Sequence, residues 1–250
     1  MISDGMAGLL RSLREGGSED PARACARALR ADGVALSLLL NGGRTAELLW
    51  CHPELSARFE ELQFTLGEGP GPDAIRTGSP VLEPDLDRVR PERWPTLLPA
   101  ARELGVHGVC CFPLGIGAIR VGVLTVLCDG DRRLGEQQYA DATALTAALT
   151  GALLNKRPGD GPNGDVPGLG VLPQWPSGLH RPAVHQATGM ISVQLGVSME
   201  EALLRLRAHA YAGERPLGEV AADVVARRLR FDNDLDDDMS GPYSPDGGKG

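Results

Sequence analysis

No run of about 18 apolar residues occurs in this 250-residue chain, so no membrane-spanning helix is expected. The opening seventeen residues, from Met1 to Gly17, carry acids early and lack the apolar heart of an export signal, which points to a cytosolic protein. Lysine is nearly missing, with Lys156 and Lys249 alone, while Ala, Arg, Gly and Leu abound, a balance that suits a GC-rich bacterial genome. No Cys-x-x-Cys spacing joins the five cysteines, Cys25, Cys51, Cys110, Cys111 and Cys128. Their odd number and scatter fit reduced thiols better than a disulfide framework and give no zinc site. The Gly67 to Pro72 loop lacks the Gly-Lys-Ser/Thr ending of a phosphate-binding loop, and its Glu68 would repel an anion. It reads as a rigid turn opening the next helix. The cysteines and histidines give no nucleophile, base and orienting group in a recognisable arrangement, so an enzyme is not expected. No internal repeat is present.

What the chain does have is unevenly spread. The formal net charge is −8, which at first argues against a nucleic-acid partner. Residues 180–231, however, hold seven Arg against five acids, a net +2, while residues 232–250 hold six Asp and one Lys, a net −5. The one mildly basic stretch would therefore bind a polyanion modestly and with strong salt dependence. Dense Pro, Gly, Asp and Asn from Arg157 to Ser177 mark a flexible linker. These shifts predict an N-terminal extension at 1–19, a first domain at 20–155, a linker at 156–179, a second domain at 180–231 and an acidic disordered tail at 232–250.

The first domain has an α+β pattern. A helical run begins at Pro21. Val34 to Leu40 and Thr45 to Cys51 read as a hairpin around Asn41-Gly42, residues that tolerate the positive φ of a tight turn. A helix over 54–61 follows, then a second hairpin of Val106 to Leu114 and Ile119 to Leu127, then an Ala/Leu-rich helix over 136–154. An antiparallel sheet with helices on one face is the expected layout. The second domain reads as three short helices. Pro182 suits a first turn, and Val184, Ala187, Ile191 and Leu195 recur at helical spacing. Gly196 is a stop, Ser198 with Glu201 forms a capping box, and Pro216 opens a third helix with Leu217, Val220, Ala221 and Val224 inward.

The run His185-Gln186-Ala187-Thr188-Gly189-Met190, followed by Leu195-Gly196-Val197-Ser198, Glu201-Ala202, Leu206-Arg207 and Leu217 with Val220-Ala221, resembles an ANTAR domain over residues 180–231. The resemblance implies a three-helix module that binds RNA hairpins, commonly as a dimer, and prevents transcription termination. The family usually has Ala-Lys-Gly where this chain has Ala187-Thr188-Gly189, so a charged phosphate partner is replaced by a neutral hydroxyl. Residues 20–154 resemble a GAF domain through Leu62-Gln63-Phe64-Thr65-Leu66-Gly67-Glu68-Gly69-Pro70, Asp73-Ala74, Pro80-Val81, Asp85-Leu86 and Val121-Gly122-Val123-Leu124. Actinobacterial GAF–ANTAR regulators often carry Cys after Gly-Glu-Gly-Pro; here the position is Gly71. The GAF resemblance implies a sensor that takes a small molecule or pairs with a second copy, and it names neither ligand nor cofactor.

The expected RNA contacts are His185, Ala187, Thr188, Gly189, Arg205, Arg207 and Arg228, and each has a second reading. Ala187 and Gly189 are small either for close backbone approach or for tight helix packing. Arg205 and Arg227 have acids four residues earlier, at Glu201 and Asp223, and suit surface ion pairs. Arg207 has no such acid and is favoured as a phosphate contact. Arg228 falls near the inward side of the third helix, where it snorkels or meets a dimer partner. His185 and His209 are stacking groups or half-buried structural residues. The stripe Tyr139, Ala142, Leu145, Leu149 and Leu153 serves the sheet or a dimer seam equally well. Two rival functions remain: a protein-docking regulator without RNA, and a thiol redox enzyme on the GAF-like fold using Cys51, Cys110, Cys111 or Cys128.

Overall fold

The computed structural model describes residues 1–15, 20–40, 45–129, 134–155 and 181–232. The expected Asn41-Gly42 turn, the linker and the acidic tail from 233 onward lie outside the described residues. The chain divides into two compact units, Met1–His180 and Arg181–Gly250.

In the first unit, α1 (Asp4–Glu15) and α2 (Pro21–Leu29) precede β1 (Gly33–Leu40) and β2 (Thr45–His52). Helices α3 (Glu54–Leu66) and α4 (Pro70–Thr77), strand β3 (Val81–Glu83) and α5 (Leu97–Leu104) lead to β4 (Gly108–Ile116), β5 (Ile119–Cys128) and α6 (Glu136–Asn155). The five strands form one antiparallel sheet in the order β2-β1-β5-β4-β3.

The α+β expectation holds, but helices cover both faces of the sheet rather than one. The reason is in the central strands, which are apolar at almost every position and so expose an apolar surface on each side. Val34, Leu36, Cys110, Phe112 and Leu124 pack under α1, α2 and α6. Val109, Cys111, Val123 and Leu127 pack under α3, α4 and α5. The N-terminal extension contributes to the core: α1 buries Met6, Leu9 and Leu13, which recur on one helical face, in the first of these cores. Ser3 N–H donates to Asp141 on α6 at 2.8 Å, which ties that end down.

The second layer holds a buried polar knot. Glu60 accepts from Ser37 Oγ at 2.6 Å, Thr125 Oγ1 at 2.7 Å and Gln63 Nε2 at 3.0 Å. Gln63 in turn accepts the Gly71 N–H at 2.7 Å. The Gly67 to Pro72 loop is the rigid turn its residues suggest. Gly69 starts α4 with φ 135°, and a Cβ there would lie 2.7 Å from Gln63 Oε1. Glu68 accepts the N–H groups of Thr96 and Leu97 at 2.7 Å each, at the start of α5. No helix among the described residues is long and apolar enough to cross a membrane, and no group of three His, Cys, Asp or Glu among them is placed to hold a metal ion.

Candidate nucleic-acid interface

The second unit is built from α7 (Pro182–Leu195), α8 (Met199–Ala212) and α9 (Leu217–Val225). Pro182 occupies the first turn of α7, and Gly196 ends it at φ 64°. The Ser198 hydroxyl accepts the Glu201 N–H at 3.2 Å and starts α8. The return half of the capping box is diverted, because the Glu201 carboxylate takes Arg205 at 2.9 Å. Val184, Ala187, Ile191 and Leu195 meet Ala202, Leu206 and Ala210 and the Leu217, Val220, Ala221 and Val224 stripe in a small shared core.

Ala187 and Thr188 lie inside that core. Ala187 is fully buried, and the buried Thr188 hydroxyl donates to Val184 O at 2.7 Å. The contact expected of these two residues therefore has no surface to act from: helical spacing turns both toward α8 and α9, and the helix's own carbonyl uses the hydroxyl. Gly189 behaves differently. It shares an outward stripe with His185 and Val193, and a Cβ built on it meets nothing within 4 Å. Packing between helices does not require glycine there, whereas at Ala187 packing does explain the small side chain.

The arginines separate into paired and less engaged groups. Arg205 pairs with Glu201, as its spacing predicts. Asp223 does not pair with Arg227. It takes Arg215 at 2.7 Å and Arg228 at 2.7 Å, because α9 stops at Val225 and Arg227 turns the chain with φ 59°. Hydrogen bonds from Arg215 and then Arg228 hold the Asp223 carboxyl below its usual range. Arg228 is an exposed residue beyond the helix end, not an inward-leaning one. Among the described residues no ion pair involves Arg227 or Arg230, both exposed at that turn.

Arg207 lies on the opposite flank of α8 from Arg205, since positions two apart do not share a helix face. Burial, and then the charge of Arg181 at the start of α7, lower its guanidinium to about 10. It stays charged at neutral pH. His185, one turn into α7, is half-buried. The pairing of Arg181 with Arg207 was not marked in the sequence, since the two are brought together by the α7–α8 hairpin alone. Residues past α9 also fold back, with Phe231 stacking edge-on against His209 at 5.3 Å and its N–H donating to Gln194 Oε1 at 3.2 Å.

A family model for the ANTAR domain matches residues 179–225, so the stretch holding the three helices of the second unit is an ANTAR domain. The first unit, with its five-stranded antiparallel sheet and flanking helices, resembles solved GAF domains. One is the GAF domain of an Acinetobacter phosphoenolpyruvate-protein phosphotransferase, at 16% identity and TM-score 0.46, covering 60% of this chain and 91% of that one. The corresponding domain from Coxiella burnetii has 18% identity and TM-score 0.44, covering 61% and 95%. A domain of a putative two-component sensor histidine kinase from Sinorhizobium meliloti 1021 has 16% identity and TM-score 0.42, covering 54% and 86%. No curated protein matches the chain in sequence.

Proposed function

We propose that this protein is a signal-responsive transcription antitermination regulator whose ANTAR unit binds a stem-loop in nascent RNA. The match of the ANTAR family over residues 179–225 carries this reading. The neighbouring Arg181 and Arg207, His185 and the open helical surface at Gly189 supply a site of fitting chemistry: cations for phosphates, and a place where a sugar-phosphate backbone can come close. Arg205 and Arg228 serve chiefly to hold the fold through Glu201 and Asp223. The GAF-like unit acts as sensor, through a small molecule or a contact with a second copy, and two copies would present two RNA-binding units to paired hairpins. The protein acts in the cytosol.

The test is direct. Cross-linking the protein to cellular RNA and sequencing what is recovered should yield stem-loops upstream of terminators, and a chain lacking residues 181–250 should recover none. Equal recovery by the truncated chain would refute the proposal.

A second reading, docking of a protein partner, is favoured by a different surface. Leu204, Ala208 and Tyr211 follow one another on α8 and are exposed. A helical unit that binds RNA through its cations and a second copy through this stripe would satisfy both surfaces.

A further inference from the structure

The five cysteines of the first unit differ sharply in setting. Strands β4 and β5 are antiparallel, with Gly108 opposite Cys128 and Cys110 opposite Val126. Alternation along a strand then puts Cys110 and Cys128 on the same face of the sheet, one diagonal step apart. Gly108 has no side chain, and the place its Cβ would take opposite Cys128 is filled by the Pro84 carbonyl. The two thiols are near enough that each alters the ionisation of the other. Cys110 is fully buried, whereas Cys128 is half-buried and is the last residue of β5.

We propose that Cys110 and Cys128 form an oxidation-responsive pair that a hydroperoxide converts to an intramolecular disulfide joining β4 to β5. The Cys128 sulfur attacks one oxygen of the peroxide, the O–O bond breaks, an S–O bond forms, and the departing oxygen takes a proton to leave as water or an alcohol. The Cys110 sulfur then attacks Cys128 sulfur. The S–O bond breaks, the S–S bond forms, and the hydroxyl leaves as water with the Cys110 proton. Two thiols are oxidised and one peroxide is reduced.

The division of labour follows from the environments. The interaction between the two thiols lowers Cys128 and raises Cys110. Cys25 is pushed up to about 12, by burial and then by Asp20. Cys51 and Cys111 are pushed up by burial first and then by the charge of Glu60. Among the five, Cys128 alone is shifted toward the thiolate, the form that reacts. Diagonal neighbours in a sheet have Cα atoms roughly 7–8 Å apart, and a relaxed disulfide needs about 4.4–6.8 Å. The bond therefore forms only as the end of β5 shifts, which makes it strained and readily reduced again, as a reversible switch requires.

The test needs no RNA, so its outcome is separate from that of the antitermination reading. The reduced full chain is treated with hydrogen peroxide, blocked with iodoacetamide and digested with trypsin without reductant. The expected product joins residues 103–120 to residues 121–132 with the loss of two hydrogens, and titratable thiols fall from five to three and return to five with dithiothreitol. The cross-link should persist in Cys111→Ala and vanish in Cys110→Ala. Cys128→Ser, at the half-exposed strand end, gives the same answer should the core variant not fold. Separate peptides with Cys128 as sulfinic acid, or a cross-link that survives Cys128→Ser, would overturn the proposal.

Discussion

Replacing Gly189 with alanine separates folding from binding, because the two effects run in opposite directions. Gly189 sits in the middle of α7, and its missing Cβ would point into open space, with no atom inside 4 Å. Alanine in a helix interior is favoured over glycine by about 0.5–1 kcal/mol. In a small domain about 1 kcal/mol raises Tm by roughly 4–8 °C. The added methyl stands on the stripe that carries His185, where the proposal places the RNA backbone. A hairpin held that closely should lose about tenfold or more in affinity, equivalent to about 1.4 kcal/mol. Calorimetry on the full chain measures the first quantity, and fluorescence anisotropy with a labelled hairpin at one fixed salt concentration measures the second. A higher Tm with unchanged affinity would refute close approach at Gly189. A lower Tm would refute the open geometry itself.

Arg207→Met removes a guanidinium that burial and then Arg181 push toward the neutral form and keeps an unbranched side chain in its place. RNA binding should weaken, and the slope of log affinity against log salt should shrink by about 0.7–0.9, one phosphate contact; an unchanged slope would clear Arg207 of that role. Thr188→Val removes a hydroxyl whose partner is the carbonyl of Val184, so hairpin affinity should stay within about twofold, as read in the same titration. Glu60→Ala strips the acceptor from Ser37, Thr125 and Gln63, and should cost about 3 kcal/mol or more in urea unfolding of the first unit. Asp223 has a folded-state pKa below its ordinary 3.8, so its contribution to stability is present at neutral pH and is lost as pH falls below that value. Tm measured against pH should show this acid-side loss, and Asp223→Asn should flatten it.

The fold was legible where local pattern decides structure and obscure where burial on two sides does. Both hairpins, the long terminal helix of the first unit and all three helices of the second announce themselves through turns, caps and apolar spacing. The second helical layer did not. A strand buried on one face alternates, but Val109, Cys110, Cys111 and Phe112 are all buried, and such a run says only that something covers both sides. The element α5 and the short β3 lie in a Pro- and Arg-rich stretch without period, and their order comes from tertiary contacts such as Glu68 to Thr96 and Leu97. Helix α1 was obscured by its glycines, which weaken helix propensity, although Met6, Leu9 and Leu13 fall on one face.

The site was less legible because ionic pairing depends on where helices end and on which helices meet. Glu201 and Arg205 lie within one continuous helix, so spacing alone names the pair correctly. The same rule applied to Asp223 and Arg227 presumes that α9 continues, but it ends at Val225, and the chain reversal delivers Arg228 and Arg215 to that carboxylate instead. Arg181 and Arg207 are distant in sequence, and only the hairpin of α7 on α8 makes their charges interact. Thr188 was within reach of the sequence, since Val184, Thr188, Ile191 and Leu195 share one helical face. The family's lysine at that position drew it toward the surface. Spacing within the helix outranks the family pattern here: a residue on the buried stripe must satisfy its polar atoms internally, and the cationic work then falls to residues on the flanks.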